Sequence, residues 1–573
     1  MRKLMKHLRQ YRLQAVLGPL FKLLEATLEL FVPLIVAAVI DRGIQTADRS
    51  YVVRMTLLLV TLGFVGLLFS VTAQYFSAKA SVGFASKLRH VLYSHIQGFS
   101  YETLDRVGIP TLITRMSADM NQVQTGLNLT LRLLLRSPFV VFGAMIMAFT
   151  IDAKAALWFV AAIPVLGLVV FGIMLVTMPL YKKVQEHLDR VLGATRENCN
   201  GVRVLRAFRK EQAEIDGFIE KNEALTSTQK RVGRVSALMN PLTYVIVNVA
   251  IILLVRTGAI RVNSGTLTQG AVVALYNYMS QILVELIKLA NLIINITKAV
   301  ACGKRIQAVL EIPAGEKAEP DLPGSDPACS VEFVNAGLRY SGTSGSALQG
   351  LNLRVSPGQT IGVIGGTGSG KSTLVNLIPR LYTATEGQVF VNGKDVRSLD
   401  PDCLRSRIGV VPQKAVLFQG TIRDNLKWGC EDADDETILR AVRDAQALDV
   451  IASKDGLDGA VEQFGRNFSG GQRQRLTIAR ALVRQPEILI LDDSSSALDY
   501  ATDAALRKAL RSLPGKPTVF LVSQRTSAVQ DADQIVVLDE GRIAGIGRHD
   551  WLLENCGVYR EIYESQFKKE AAV

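Results

Sequence analysis

The stretch Gly365-Gly366-Thr367-Gly368-Ser369-Gly370-Lys371-Ser372 decides the fold of the second half of the chain. It fits the phosphate-loop pattern G-x-x-x-x-G-K-[ST]. A short apolar strand, Ile361–Ile364, precedes it, and a helix-like segment, Thr373–Ile378, follows it. In such a loop the glycines let backbone N–H groups surround phosphate oxygens, and the amino end of the helix adds positive charge. The pattern therefore predicts an α/β domain that binds ATP.

Two further elements assign roles within this predicted site. Lys371 is expected to neutralise the β- and γ-phosphates, and Ser372 to reach Mg²⁺. A buried-strand pattern at Ile488–Leu491 ends in Asp492-Asp493, and an Asp at the end of such a strand holds Mg²⁺ in phosphate-loop ATPases. The alternative is that this Asp caps the next helix. Because the phosphate loop is present, we favour the metal role and predict ATP and Mg²⁺ as cofactors.

The first half of the chain has the composition of a membrane domain. Of the 573 residues, 49% are hydrophobic and only 20% are charged, whereas soluble domains carry about 25% charged residues. A membrane-spanning helix needs about 20 mostly apolar residues. Six segments qualify: Val16–Ile40, Met55–Tyr75, Leu133–Ile151, Ala155–Met178, Leu238–Val255 and Ala271–Ile296. The chain is therefore predicted to be multi-pass, with the lipid bilayer as one partner.

The basic residues indicate an orientation in the membrane. The net charge is +13, and Lys and Arg cluster in the N-terminal stretch and in the connection between the fourth and fifth segments. Cytoplasmic loops carry such an excess, so we attribute the charge to the membrane and not to nucleic acid. We therefore expect the protein in the plasma membrane, with both termini in the cytoplasm.

The connections between the apolar segments indicate how the halves are organised. Ser77–Arg132 and Pro179–Ala237 are long and carry helix-like patterning, so we expect helices that extend beyond the bilayer. Residues 311–328 (EIPAGEKAEPDLPGSDPA) are rich in Pro, Gly and acidic residues and are predicted to be a linker. This places a transmembrane domain at residues 1–310 and a nucleotide-binding domain at residues 329–573.

A polar face runs along the sixth apolar segment. At 100° per residue its polar side chains fall within about a third of the helix circumference, and Lys22, Glu25 and Glu29 share a face of the first segment. One interpretation is a substrate cavity for amphipathic, including cationic, molecules. The other is local ion pairs, Glu285–Lys288 and Lys22–Glu25, that reduce the cost of burial. The candidate cavity residues are Asn277, Gln281, Glu285, Lys288, Asn291 and Asn295.

Several motifs make the whole chain resemble the ATP-binding cassette (ABC) family. Phe468-Ser469-Gly470-Gly471-Gln472 resembles that family's signature, which usually begins with Leu, and Ser496-Ala497-Leu498-Asp499 resembles its D-loop. Gln413 matches its Q-loop, and Tyr340 lies where the family stacks an aromatic ring on adenine. Six spans ahead of one cassette are similar to the exporter branch. Segments of that branch around its two coupling helices resemble Tyr101–Met120 and Ala207–Phe218.

The resemblance implies a fold, a mechanism and a set of site residues. The fold is a six-helix all-α transmembrane domain with long cytoplasmic helix extensions, fused to a C-terminal α/β P-loop ATP-binding cassette. Two cassettes would sandwich ATP between one chain's phosphate loop and the signature of the other, where Ser469 and Gly471 act in trans. This chain would be half of an ATP-hydrolysing transporter, with Ser372, Gln413 and Asp492 at the metal. The candidate ATP-binding residues are Tyr340, Gly365, Gly366, Thr367, Gly368, Ser369, Gly370, Lys371, Ser372, Thr373 and Gln413.

Two catalytic positions depart from the family pattern. Asp493 stands where the family has the Glu that activates water, and its carboxylate is one methylene shorter. A misplacement of about 1 Å can cost on the order of a hundredfold in rate. Gln524 stands where the family has a His, and an amide cannot carry that charge. The pattern resembles the degenerate-site chain of bacterial heterodimeric multidrug exporters.

Three alternatives stay open beside the heterodimer. Asp493 could still support hydrolysis, more slowly, and the chain could be a homodimeric lipid or drug exporter. The chain could also be an ATP-gated channel, or a regulatory membrane ATPase with little turnover. The expected partner is a second half-transporter chain, and the expected substrate is an amphipathic small molecule.

Overall fold

The chain, seen in a computed structural model, forms two compact units. The structure describes residues 3–315, 318–319, 322, 324–341 and 345–567. The first unit contains residues 1–96 and 110–312, and the second contains residues 97–109 and 313–573. Part of the predicted linker, residues 316–317, 320–321 and 323, lies outside the described residues.

The first unit consists of helices. Short non-α turns, 3-10 or π, flank some of them at Leu4–Tyr11, Val39–Ile44 and Arg115–Asp119. The α-helices of this half of the chain are α1 (Arg12–Ala38), α2 (Arg49–Gln97), α3 (Tyr101–Val107), α4 (Ile109–Thr114), α5 (Met120–Leu133), α6 (Arg136–Ile151), α7 (Ala153–Ala207), α8 (Glu211–Ala237), α9 (Met239–Asn263) and α10 (Gln269–Leu310). Of these, α3 belongs to the second unit, together with the last residue of α2 and the first residue of α4.

Six helical stretches in the described residues are long and apolar enough to cross a membrane. Each contains one of the six predicted segments, and each is much longer than that segment, because polar turns of helix continue beyond the apolar part. The stretches are Leu4–Ile44, Arg49–Gln97, Ile109–Ile151, Ala153–Ala207, Glu211–Asn263 and Gln269–Leu310. The expectation of spans with long helical extensions is therefore confirmed.

The core of the helical unit contains both small and large apolar side chains. Ala26, Ala144 and Ala274 are fully buried and allow close approach of their helices. Tyr278 is fully buried in α10, and its hydroxyl donates a 2.6 Å hydrogen bond to the Leu30 carbonyl of α1. This bond satisfies the Tyr278 hydroxyl, because the interior of a membrane offers no water as a hydrogen-bond partner.

The second unit is an α/β domain. Its strands are β1 (Val331–Leu338), β2 (Leu348–Val355), β3 (Thr360–Gly365), β4 (Glu386–Val391), β5 (Lys394–Asp395), β6 (Ile408–Val411), β7 (Gly420–Thr421), β8 (Ala460–Val461), β9 (Ile488–Asp492), β10 (Thr518–Val522), β11 (Gln534–Asp539) and β12 (Arg542–Gly547). Its further helices are α11 (Lys371–Leu377), α12 (Pro401–Ser406), α13 (Ile422–Lys427), α14 (Asp435–Asp444), α15 (Leu448–Ala452), α16 (Gly470–Val483), α17 (Tyr500–Arg511), α18 (Thr526–Val529), α19 (His549–Asn555) and α20 (Gly557–Phe567).

The main sheet of this unit positions the site. Its strand order is β12-β11-β3-β10-β9-β6, with every neighbouring pair parallel except β11 and β12. The strands that precede the phosphate loop (β3), Asp493 (β9) and Gln524 (β10) are therefore adjacent. Parallel strands end at the same edge of a sheet, and ligands bind outside the carboxyl ends of such strands. The described residues also form a four-stranded antiparallel sheet, β2-β1-β4-β5.

Helix α3 packs on the α/β domain and is part of its unit. The Tyr382 hydroxyl donates a 2.6 Å hydrogen bond to Asp105 Oδ2, and Ser341 Oγ donates one of 2.5 Å to Glu102 Oε1. The rings of Tyr101 and Tyr382 lie 6.2 Å apart. The short helix in the segment Tyr101–Met120 is thus held by hydrogen bonds and aromatic contact to the domain that carries the phosphate loop.

Candidate nucleotide-binding site

A pocket of about 300 Å³ opens at the carboxyl edge of the main sheet. It brings together residues from the phosphate loop, the Q-loop position, the end of β9 and the segment after β10, which are far apart in the sequence. Its lining residues are Tyr340, Ala347, Thr367, Gly368, Gly370, Lys371, Ser372, Thr373, Gln413, Asp492, Asp493, Val522 and Gln524. Sequence analysis missed Ala347 and Val522, whose apolar side chains carry no motif.

Two glycines of the phosphate loop have no room for a side chain. Gly370 has φ +98°, and a Cβ there would lie 2.9 Å from the Ala347 carbonyl oxygen. A Cβ at Gly365 would lie 2.2 Å from the Leu538 carbonyl oxygen and 2.6 Å from Ser369 Oγ. Gly365, Gly366 and Ser369 form the back of the turn and do not line the pocket.

Lys371 is buried with its amino group turned into the loop. Its Nζ donates to the carbonyl oxygens of Gly365 (2.9 Å) and Gly366 (2.6 Å). Burial lowers the pKa of Lys371, while the nearby Asp493 and Asp492 act to raise it. The ammonium is thus poised for an anion, since carbonyl oxygens satisfy its hydrogens without neutralising its charge. Among the described residues the buried Ser369 hydroxyl finds no partner.

Ser372 and Asp492 offer an oxygen-rich corner that suits Mg²⁺. Ser372 Oγ donates a 2.9 Å hydrogen bond to Asp492 Oδ1. Burial raises the pKa of Asp492, and the adjacent Asp493 raises it further, against hydrogen bonding from Ser372. Hard oxygen ligands are those that Mg²⁺ prefers, and one or two carboxylates with phosphate oxygens usually hold it. The donor set therefore fits the predicted metal.

Asp493 and Gln413 contact each other across the pocket. Gln413 Nε2 donates to Asp493 Oδ2 at 3.3 Å. The backbone N–H of Asp493 donates to the Val522 carbonyl at 3.0 Å, so the residue is tied to the end of β10. Asp493 has φ +46°, a left-handed conformation that Asp tolerates better than most residues. Gln524 lines the same pocket.

Tyr340 forms an aromatic wall beside the phosphate loop. Its hydroxyl lies 3.0 Å from Thr373 Oγ1, and its ring meets the Tyr382 ring edge-on, with centroids 5.1 Å apart. Because its hydroxyl and its ring both have a partner, the Tyr340 side chain presents a rigid apolar surface. It has the position and chemistry to contact a nucleotide base.

The signature residues form a separate site on the same domain. Ser469 is exposed and begins α16 with a capping box, in which Ser469 Oγ accepts from the Gln472 N–H (3.2 Å) and Gln472 Oε1 accepts from the Ser469 N–H (2.9 Å). Phe468, where the family usually has Leu, is 4% exposed and packs in the core. Neither Ser469 nor Gly471 lines the phosphate-loop pocket. Ser469 is exposed and Gly471 is half-buried, so the start of α16 is partly accessible.

The polar face of α10 contains a buried charge cluster in the helical unit. Glu285 is 3% exposed and accepts hydrogen bonds from Arg136 Nη1 (2.6 Å), Ser137 Oγ (2.9 Å) and Lys288 Nζ (2.8 Å). Arg136 Nη2 also donates to Glu29 Oε2 at 2.6 Å. The cluster joins α1, α6 and α10. Both local pairs considered from the sequence, Glu285–Lys288 and Lys22–Glu25, are formed.

Sequence analysis missed Arg136, although it lies inside an apolar segment, where a charge signals a partner. The other candidate cavity residues do not join this cluster. Asn291 is exposed, and its carbonyl accepts from Asn295 Nδ2 at 2.9 Å. Asn277 and Gln281 are half-buried, and the buried Gln281 Oε1 finds no partner among the described residues.

A helical membrane unit followed by a phosphate-loop α/β unit with an exposed signature defines the architecture of a half-transporter. Residues 16–286 match the family described as "ABC transporter transmembrane region", and residues 348–496 match "ABC transporter". An uncharacterized ABC transporter ATP-binding protein of Mycobacterium tuberculosis is 37% identical over 98% of this chain and 97% of its own length. The chain therefore belongs to the ABC transporter family, as an exporter-type half-transporter with a fused transmembrane region.

Other relatives agree with this membership. An ATP-dependent lipid A-core flippase of Hahella chejuensis is 30% identical over 87% of this chain and 85% of its own. A multidrug efflux ATP-binding/permease protein of Mycobacterium bovis is 31% identical over 83% of this chain and 40% of its own. The structure of a bacterial Atm1-family ABC exporter with ATP bound has a TM-score of 0.81 at 23% identity, covering 98% of both chains, which shows the same fold.

Three coarse predictions are thus confirmed: the fold class, a multi-pass membrane protein, and a cassette of the kind that binds ATP. Membership of the family implies ATP hydrolysis coupled to export. ABC exporters work as dimers in the membrane.

Proposed function

We propose that this chain is one half of a heterodimeric ABC exporter and that its own phosphate loop belongs to the weakly hydrolysing site. The observation that carries this proposal is the pairing of two departures in one pocket. Asp493 and Gln524 both line the cavity that contains the phosphate loop. Independent drift would scatter such changes over the domain, whereas loss of one function concentrates them at one site.

The geometry of Asp493 supports weak hydrolysis. Its carboxylate is one methylene shorter than the Glu usual in the family, and Oδ2 already accepts a hydrogen bond from Gln413 at 3.3 Å. Its backbone is tied to Val522 at 3.0 Å and cannot advance without breaking that bond. A group about 1 Å short of the attacking water can cost on the order of a hundredfold in rate.

The remaining parts of the site support tight ATP binding. In this proposal the loop residues from Gly365 to Thr373 and Gln413 hold the nucleotide, with Tyr340 against the adenine. Lys371 releases its two loop carbonyls and neutralises the β- and γ-phosphates. Ser372, Gln413 and Asp492 hold Mg²⁺, which supplies charge neutralisation at the phosphates. Gln524 donates an amide hydrogen bond where a His would carry charge.

The intact signature assigns the chain a second role. Ser469 is exposed and Gly471 is half-buried, and both lie at the preformed start of α16. We assign them to the competent site, built on the partner's phosphate loop. The chain would then bind ATP persistently at one site and help to hydrolyse it at the other.

The membrane half supplies the remaining parts of the proposal. The transmembrane domain spans residues 1–310, the linker 311–328 and the nucleotide-binding domain 329–573, with both termini in the cytoplasm. The polar residues of α10, including Asn277, Gln281 and Lys288, line a path for amphipathic small molecules. Relatives named for lipid A-core and multidrug transport support that class. A homodimeric lipid exporter is the second candidate, favoured by the flippase relative, which matches nearly the whole chain.

ATP hydrolysis by the purified chain tests the proposal. In lipid nanodiscs the chain alone should bind ATP but turn it over about a hundredfold more slowly than an exporter with the usual Glu. Lys371→Ala is the control that removes ATP binding. Brisk turnover by the chain alone, lost in Lys371→Ala, would instead establish the homodimeric exporter. Absence of ATP binding by the unmodified chain would contradict both.

A further inference from the structure

The helix α20 packs against β3 and β11 of the main sheet and against α18. Tyr559 of α20 is fully buried, and its hydroxyl lies 2.7 Å from His549 Nδ1. Tyr559 shares an apolar cluster with Ile364, the residue before the phosphate loop, and with Val529 of α18. The helix is thus anchored on the strand that enters the phosphate loop and on the segment that follows Gln524.

The last turn of α20 places Gln566 on the backbone around Gln524. Gln566 Nε2 donates a 2.7 Å hydrogen bond to the Gln524 carbonyl oxygen. Its Oε1 accepts from both the backbone N–H and the hydroxyl of Thr526, each at 2.9 Å. One side-chain amide therefore uses its donor and its acceptor to bracket the backbone from residue 524 to residue 526.

These contacts lie directly behind the pocket. Gln524 lines the nucleotide cavity, and Thr526, two residues later, is fully buried. A second restraint acts on the same segment, since Ser523 Oγ accepts from the Arg525 N–H at 3.0 Å. The backbone on both sides of Gln524 is held by side chains, and the side chain of Gln524 is left to face the cavity.

We propose that Gln566 is a positioning residue of the nucleotide site: it fixes the backbone of Gln524 so that the Gln524 side chain reaches the terminal phosphate of ATP. This inference rests on the proposed function, because it assigns Gln524 to bound nucleotide. The terminal phosphate distinguishes ATP from ADP, so Gln566 contributes to the preference for ATP without contacting the nucleotide.

A purely structural role gives a different expectation. If Gln566 only joins α20 to the domain, its loss weakens folding and affects all nucleotides alike. If it positions Gln524, its loss affects ATP and leaves ADP binding unchanged. The ratio of the two dissociation constants separates these cases, because ADP lacks the phosphate that Gln524 would contact.

The test measures Mg²⁺–ATP and Mg²⁺–ADP binding by the full chain in nanodiscs, using isothermal titration. Gln566→Ala should raise the dissociation constant for ATP about fivefold, which is the effect of losing the one hydrogen bond from Gln524 to the terminal phosphate. The dissociation constant for ADP should stay unchanged. Gln566→Glu keeps the acceptor for Thr526 but sets an oxygen against the Gln524 carbonyl, so the same loss is expected. Glu561→Ala, an exposed change on the same helix, is the matched control and should alter neither constant.

A double-mutant cycle completes the test. In a Gln524→Ala background, Gln566→Ala should have no further effect on ATP binding, because the residue through which it acts is gone. An equal loss for ATP and ADP, or a full fivefold loss in that background, would overturn the inference and leave the proposed function standing. Failure of the unmodified chain to bind ATP would instead reject the proposed function. Thr526→Val, which removes one hydroxyl, provides a milder version if Gln566→Ala does not fold.

Discussion

Asp493 combines a short carboxylate with a constrained backbone. Its φ of +46° and its bond to the Val522 carbonyl hold it at the end of β9. Its Oδ2 accepts a hydrogen bond from Gln413 Nε2 at 3.3 Å, and both residues line the pocket. The weak hydrolysis that we propose would therefore follow from side-chain length and not from a misplaced strand, so substitution should repair it.

Restoring the two usual residues should restore hydrolysis. We expect Asp493→Glu combined with Gln524→His to raise ATP turnover by the purified chain about tenfold to a hundredfold, because the longer carboxylate reaches the attacking water. Phosphate release in nanodiscs measures this. Asp493→Asn, which has the same size without the charge, is the control. A repaired chain that turns over ATP no faster than the control would show that the site is limited elsewhere.

At the scale of elements, the charge cluster of α1, α6 and α10 joins helices that are far apart in sequence. The side chains of Arg136 and Glu285 are 7% and 4% exposed, whereas that of Glu29 is 41% exposed. Removal of one partner of a buried ion pair is strongly destabilising, and without Arg136 the buried Glu285 would keep only Lys288 and Ser137 as partners. Arg136 is the central residue of the cluster, because it pairs with both Glu29 and Glu285.

Loss of this arginine should destabilise the helical unit. We expect Arg136→Met to lower the free energy of unfolding by about 3–5 kcal/mol, because Glu285 stays buried with fewer partners. Thermal unfolding of the chain in detergent measures the change. Glu29→Gln is the matched control, since it leaves the buried pair intact and should cost much less. Equal stability of the two variants would show that the cluster does not hold these helices together.

The elements themselves follow closely from local patterns. The predicted strand Ile488–Leu491 is β9, and the predicted helix after the phosphate loop is α11. Both are short segments whose apolar content and flanking motif leave little choice. The membrane helices continue beyond their apolar segments, as the patterning of the connections predicted, and α7 continues to Ala207 through polar turns. Hydropathy marks only the part of each helix that suits lipid.

For the whole molecule, the phosphate loop and the signature of one chain are separate sites. Ser469 does not line the phosphate-loop pocket. In the dimer that we propose, one chain therefore supplies the phosphate loop of one composite site and the signature of the other. In a homodimer both composite sites would contain Asp493 and Gln524. Only a different partner can give this signature a phosphate loop with the usual catalytic residues.

Loss of the signature and loss of the phosphate loop of this chain should therefore slow transport to different extents. In inside-out vesicles that contain this chain with its partner, Ser469→Ala should slow ATP-dependent dye accumulation by about tenfold or more, because it removes a donor at the competent site. Lys371→Ala, at the weak site, should slow it less. Equal losses would contradict the asymmetry. Passive, ion-selective current without dye accumulation would favour a channel.

The sequence by itself determined the two-part architecture, the phosphate loop and the pair Asp493 and Gln524, because each depends on local composition or on a contiguous motif. Tertiary structure alone decided which distant side chains meet. Arg136 bonds Glu285 across 149 positions, and Gln566 bonds the Gln524 carbonyl across 42. Such contacts depend on how helices pack against each other and against the sheet, and no local pattern in one sequence records that packing.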